Sequence, residues 1–265
     1  MTDSQSTLLA SAREYALDIL TNKISKNVTY HNLEHTRRVV AASEEMADYY
    51  QLQPEDRESL LIAAWFHDTG FSSGKSQGHE EVSKQFATDF LGQKAASPAI
   101  TTKVIGCIDA TRMPQSPGSL IEQIICDADL FHLGTDEFTA KNEELRQELT
   151  GFSGEDVSKK KWRKMNIAFM ENHRYFTDYG RRKLQPVKDQ HIKDLKGGPD
   201  DENGKKGNKK EKGKKGDELL AVLSDEMKKE PDEKKKKDKE NQTERGISTV
   251  FRIMASNHAS LSQMA

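Results

Sequence analysis

The sequence predicts an all-α fold, on three observations. Nearly every periodic segment repeats its apolar residues at helical spacing. No alternating run of strand type occurs, and prolines and cap residues fall where helices begin. A first helix is expected over about residues 7–24, with Leu8, Ala12, Tyr15 and Ile19 on one stripe. A second begins near His31 and turns Val39, Val40, Met46, Ala47 and Tyr50 inward. Pro54 opens a third, in which Leu60 to Phe66 is apolar all round, the signature of a buried helix. Residues 69–78, rich in glycine and serine, read as a loop opening onto whatever site the preceding helix serves. Glu80 to Leu91 is amphipathic, and Ser97-Pro98 reads as an N-cap followed by proline at the first helical position. Met113 to Gly118 breaks that helix. Segments 120–133, 135–149, 155–175 and 179–195 complete the body, with Pro186 kinking or interrupting the last.

Composition divides the chain. Apolar residues make up only 34% and charged residues 32%, but the imbalance is local. Residues 1–195 form the predicted domain, and residues 196–242 almost lack apolar side chains apart from one patch around Leu219 and Leu223. That Lys/Gly-rich stretch cannot bury a core and is expected to be a disordered tether. Its end-to-end distance is roughly 35–40 Å. Residues 243–265 regain helical periodicity as a short amphipathic helix. A net charge of -2 supplies no global field for nucleic acid, so no specific nucleic-acid binding is expected. Cys107 and Cys126 lie in apolar helical runs and read as reduced core residues of a cytoplasmic protein. Residues 1–10 lack the pattern of a secretory signal, and no apolar stretch is long enough to span a bilayer.

Chemistry concentrates in the order His35, His67-Asp68, Asp129. Two imidazoles and two carboxylates form a nitrogen/oxygen donor set that suits one divalent cation: Mn, Fe, Co, Ni, Zn or Mg. His35 lies at the start of one apolar-faced helix. His67-Asp68 ends the most buried one, and Asp127 and Asp129 sit within Ile124-Ile125-Cys126-Asp127-Ala128-Asp129-Leu130-Phe131. Buried charges persist when they are paired or coordinated, and one cation accounts for all of these together. Trp65 and Phe66 read as core, and His132 as structural.

Four stretches carry a resemblance: Tyr30-His31-Asn32 with His35-Thr36, then Trp65-Phe66-His67-Asp68-Thr69-Gly70, then His79-Glu80 with Ser83, then Asp127-Ala128-Asp129-Leu130. In that order they resemble the HD-domain superfamily of metal-dependent phosphohydrolases. The resemblance implies an all-helical bundle with His35, His67, Asp68 and Asp129 around one divalent ion. It further implies that Asp68 orients or deprotonates the attacking water. Asp129 takes the ligand role because the Ala-Asp dipeptide is what the family repeats, leaving Asp127 to hold a ligand imidazole or cap a helix. Two-metal members carry further histidines. Here His79 fills one such slot, but Ile108-Asp109-Ala110-Thr111 offers none, so a single ion is expected.

The substrate implied is a nucleotide or related phosphate ester, whose charge calls for cations. Arg37, Arg38, Arg112 and a cluster around His173 and Arg174 read mostly as solvated helix faces. His79, Lys75 and Arg181 rank first as substrate-binding residues. Glu80 is the candidate general acid, although an acid at a helix N-terminus needs no catalytic reason. The alternative function is a nucleotide-sensing module. It rests on residues 243–265, which resemble the start of the transmembrane module of Pycsar effectors, prokaryotic cyclic-pyrimidine defence proteins. On that resemblance the chain is the soluble part of a membrane-anchored protein, at the cytoplasmic face of the inner membrane, and its membrane association depends on a segment that is missing here. A homodimer is compatible with the sequence.

Overall fold

In a computed structural model, residues 3–154 and 156–198 are described. Among them the regular structure is entirely helical, as the periodicity predicts. Of the tether expected over 196–242, Lys196 and Gly197 instead end the last helix; its residues from 199 onward, and the C-terminal helix expected over 243–265, lie outside the described residues.

The bundle is organised around α3 (Pro54–Phe66), which packs against α1 (Asp3–Asn22), α2 (Leu33–Tyr49), α4 (His79–Gln93), α5 (Pro98–Ala110) and α6 (Leu120–Asp129). Its position follows from its sequence. Leu60 to Phe66 is buried on every side, so this helix cannot lie at a surface. Pro54 and Pro98 open α3 and α5, where the missing N–H would have no intrahelical partner anyway. Ser97 accepts from Ile100 N at 3.2 Å, and Ser119 and Glu122 form a reciprocal capping box on α6. Cys107 and Cys126 are buried free thiols.

Residues 138–197 build a smaller layer: α7 (Phe138–Ser153), α8 (Lys159–Asn172) and α9 (Gln185–Gly197). Leu133, Phe138, Phe169 and Met170 form its own apolar cluster. The expected helix over 155–175 is shorter, running from the Ser158 cap to Asn172. The expected helix over 179–195 is split: Gly180–Leu184 is a π-type turn, and Pro186 falls in the first turn of α9. Gly180 permits this turn to approach α6. A Cβ there would lie 2.5 Å from Asp127 Oδ2 and 2.7 Å from Tyr175 Cβ.

The glycine-serine segment after His67-Asp68 differs from its prediction. Thr69–Ser73 forms a 3-10 turn whose first three residues are buried. Gly70 N donates to Ser83 Oγ at 2.9 Å, and a Cβ on Gly70 would meet the His79 carbonyl oxygen at 1.9 Å. The glycine therefore serves close packing of this turn on α4, and Phe71 is driven inward as a wall of the site instead of leaving an opening.

Candidate metal centre

Each donor is delivered by a helix end. Asn32 caps α2, its side chain accepting from Glu34 N and His35 N at 2.9 and 3.1 Å, which fixes the turn that carries His35. His67 follows the last residue of α3, with Asp68 beside it, and Asp129 is the last residue of α6. His67 Nδ1 donates to the Ala64 carbonyl at 2.8 Å, which leaves the Nε2 lone pair free.

The donor atoms converge. His35 Nε2 lies 3.4 Å from His67 Nε2 and 3.1 Å from Asp129 Oδ1, and His67 Nε2 lies 3.7 Å from Asp129 Oδ1. Asp68 Oδ2 is 3.3 Å from His35 Nε2 and 3.2 Å from His67 Nε2. Donors about 2.0–2.2 Å from one centre are themselves separated by roughly 3–3.6 Å; four of these five edges fall in that range, and the His67–Asp129 edge at 3.7 Å lies just beyond it. The hydrogen bonding supports the fit: Asp68 Oδ2 is buried without a hydrogen-bond partner, aimed between two imidazoles. His35, His67 and Asp129 alone already form a set that can hold a metal ion.

Burial opposes every charge at this point, but the groups stabilise one another. Against burial, Asp129 and Asp68 hold the His35 imidazole up at about 9, and His67 is also raised. Against burial, the imidazoles hold Asp68 and Asp129 below the usual carboxylate range. His132 is different. It pairs with the Tyr30 hydroxyl at 3.0 Å, and burial together with the charge on His35 pushes it down to about 3. It is a neutral partner of Tyr30, whose ring packs 4.8 Å from that of His35.

Of the remaining expected residues, His79 Nε2 approaches Asp68 Oδ1 at 3.5 Å, and its Nδ1 donates to the Ser76 carbonyl at 2.7 Å. Glu80 is buried, 3.7 Å from His79 Nδ1. Asp127 caps: it accepts from Phe176 N, Thr177 N and Thr177 Oγ1 at 2.6 to 2.9 Å, and no imidazole is bonded to it. Lys75 is exposed on the far part of the turn. The Arg181 guanidinium is occupied locally, by the Phe176 carbonyl at 2.5 Å and Asp178 at 2.6 Å. Among the described residues, neither cation makes a hydrogen bond or ion pair with His35, His67, Asp68 or Asp129.

The sequence reading missed the acid–imidazole pair beside them. His31 Nδ1 contacts Glu148 Oε1 at 2.5 Å, and Glu148 Oε2 accepts from Tyr30 N and His31 N at 2.7 and 2.9 Å. Burial works against the Glu148 charge, but His31 and these bonds hold its carboxyl below the usual range. The His31 ring stacks on Phe71 at 4.3 Å, Phe71 contacts His79 at 4.2 Å, and His31 lies 5.7 Å from His35. The available signal was that His31 precedes His35 by one helical turn of spacing.

Residues 32–134, the span from the Asn32 cap past Asp129, match the family model described as HD domain. This match supports the HD-domain superfamily, whose members are typically metal-dependent hydrolases and bind divalent metals. Comparison with curated proteins and with solved structures gave no match.

Proposed function

We propose that this protein is a metal-dependent phosphohydrolase or phosphodiesterase acting on a nucleotide or related phosphate ester. The observation that carries this reading is the juxtaposition of two systems: His35, His67 and Asp129, a set that can hold a cation, with Asp68 Oδ2 against both imidazoles, and the carboxylate-held imidazole of His31, whose ring centroid is 5.7 Å from that of His35. His35, His67, Asp68 and Asp129 would hold one divalent ion, which when bound supplies charge stabilisation at the phosphoryl group and acidifies water.

The protein's own groups divide the proton work. Asp68 Oδ2 faces the two imidazoles, whereas Oδ1 faces His79. Oδ1 is the atom that accepts a proton from, or orients, the attacking water. Glu148 fixes His31 through Nδ1 and its carboxylate stabilises the doubly protonated ring, the form of His31 that can hand a proton from Nε2 to the departing ester oxygen. Glu80 lies behind His79 and is the second candidate acid. The buried walls around Phe71 exclude water and strengthen each of these interactions.

The test is incubation of the purified protein with a panel of nucleotides and an aryl phosphodiester in Mn, Co, Ni, Mg or Zn. Hydrolysis is expected with at least one metal, and is expected to disappear in Asp68→Ala. Stoichiometric nucleotide binding with no product in any metal would contradict it. That result would favour the sensing module suggested by the Pycsar-like segment at 243–265.

A further inference from the structure

The cations ranked first from the sequence do not reach the donor set, yet an anionic substrate needs one there. Arg38 answers the need. It lies on α2 one turn after His35, about 4.5 Å further along the helix axis. Both residues line a cleft of about 250 Å³ between α2 and the turn after α6, together with Asp129. The Arg38 charge is felt at Tyr30 and His132, the pair packed beside His35.

A buried donor without a partner sets it apart from the other described arginines. No hydrogen bond is made by any of its five donors among the described residues, and Nη2 is buried without a partner. Its only ion pairs are long, 3.9 Å to Glu34 and 4.0 Å to Glu137, both of them more than half exposed. Such contacts are screened and weak. By contrast, Arg57, Arg112, Arg146, Arg174 and Arg181 all donate to carboxylates or carbonyls. A guanidinium fork with free donors, in a cleft that also holds two metal-competent side chains, matches the geometry of a phosphate.

Resting on the phosphohydrolase reading above, we infer that Arg38 binds the non-bridging oxygens of the substrate phosphate and that this cleft seats the group esterified to it. Val39, Ala42 and Phe131 give the cleft an apolar wall, and its volume lies at the small end for ligand sites. The substrate class this cleft suits is a small organic phosphate, with its charge on Arg38 and its apolar part against Phe131.

The experiment is calorimetric titration of the Mn-loaded full chain with inorganic phosphate. Arg38→Met is expected to weaken binding by roughly 10- to 100-fold, with melting temperature and Mn content unchanged. Arg38→Lys keeps the charge but loses the fork and should fall between. Arg37→Met is the control: Arg37 is exposed, lines a different depression and should bind phosphate as the wild type does. Equal affinity in wild type and Arg38→Met overturns the inference, as does absence of phosphate binding to the wild type. Loss of Mn in Arg38→Met also overturns it, because Arg38 would then support the metal site. If phosphate affinity follows Arg38 while no ester is hydrolysed with any metal, the hydrolase reading falls and the anion site stands.

Discussion

Two of the buried histidine clusters among the described residues are built on opposite principles. At the α2–α3–α6 end, His35 and His67 meet Asp68 and Asp129, and the carboxylates overcome burial to raise both imidazoles. In the C-terminal layer, fully buried Lys188 donates to the His173 carbonyl at 2.7 Å, contacts His173 Nδ1 at 3.1 Å and lies 5.3 Å over the Tyr175 ring. There burial and the Lys188 charge push His173 down to about 3, and burial pulls Lys188 down to about 8. The first cluster gathers acceptors around a common point and leaves Asp68 Oδ2 without a hydrogen bond. The second satisfies one cation with a carbonyl, a neutral imidazole and a ring face. Burial alone thus does not mark a metal centre; the sign of the neighbouring charges does.

The contrast is sharpest in turnover. Asp68→Ala is expected to lower phosphodiester hydrolysis by on the order of 10²–10⁴, whereas His173→Gln, which keeps an acceptor toward Lys188, should leave it unaltered. Equal losses in the two variants would erase the distinction between the clusters. A narrower effect belongs to His31. His31→Gln should cost about 10²–10³ on an alkyl ester, whose leaving oxygen needs a proton, and much less on a nitrophenyl ester. The same loss on both would remove His31 from the role of proton donor.

The smallest effect concerns stability and acid. Burial and the Lys188 charge push His173 down to about 3 in the folded protein, from an ordinary 6.5. Below 6.5 the unfolded chain therefore binds more protons there, so stability is present above that pH and is lost as pH falls toward 3. Lys188, Arg174 and His132 add to the penalty of charging this ring, and Asp129 opposes it. Denaturation midpoints measured between about pH 7 and pH 4 should fall less steeply in His173→Gln than in wild type. Identical slopes would show that His173 is not buried neutral.

Much of this was legible in the sequence where the cause is local. The all-round apolar run at Leu60–Phe66, the prolines at 54 and 98, and the Ser97 cap each act within one helical turn, and the structure has them as expected. Of the residues proposed to hold the ion, His67, Asp68 and Asp129 stand out in the sequence because they end or interrupt apolar runs, whereas His35 stands out only by its place in the His…His-Asp…Asp order. What was missed depends on distant partners. Glu148 lies 117 residues from His31, and Asp127 finds its donors 49 and 50 residues downstream. Arg38 and Arg181 look alike as letters. Only the fold shows that Arg181 is occupied by its own loop while Arg38 keeps its donors free. Composition misled at 69–73, where Gly70 answers a close backbone approach, whereas Gly74 and Gly78, both at positive φ with open space around them, fit the loop expected there.

Everything above depends on a cation shared by three helix ends, and metal content reads it directly. Wild type, His35→Ala and Asp129→Ala, loaded identically and freed of loose metal, should differ: about one divalent ion per chain in the wild type, and little in either variant while both stay folded. Equal metal in all three folded proteins would contradict the account.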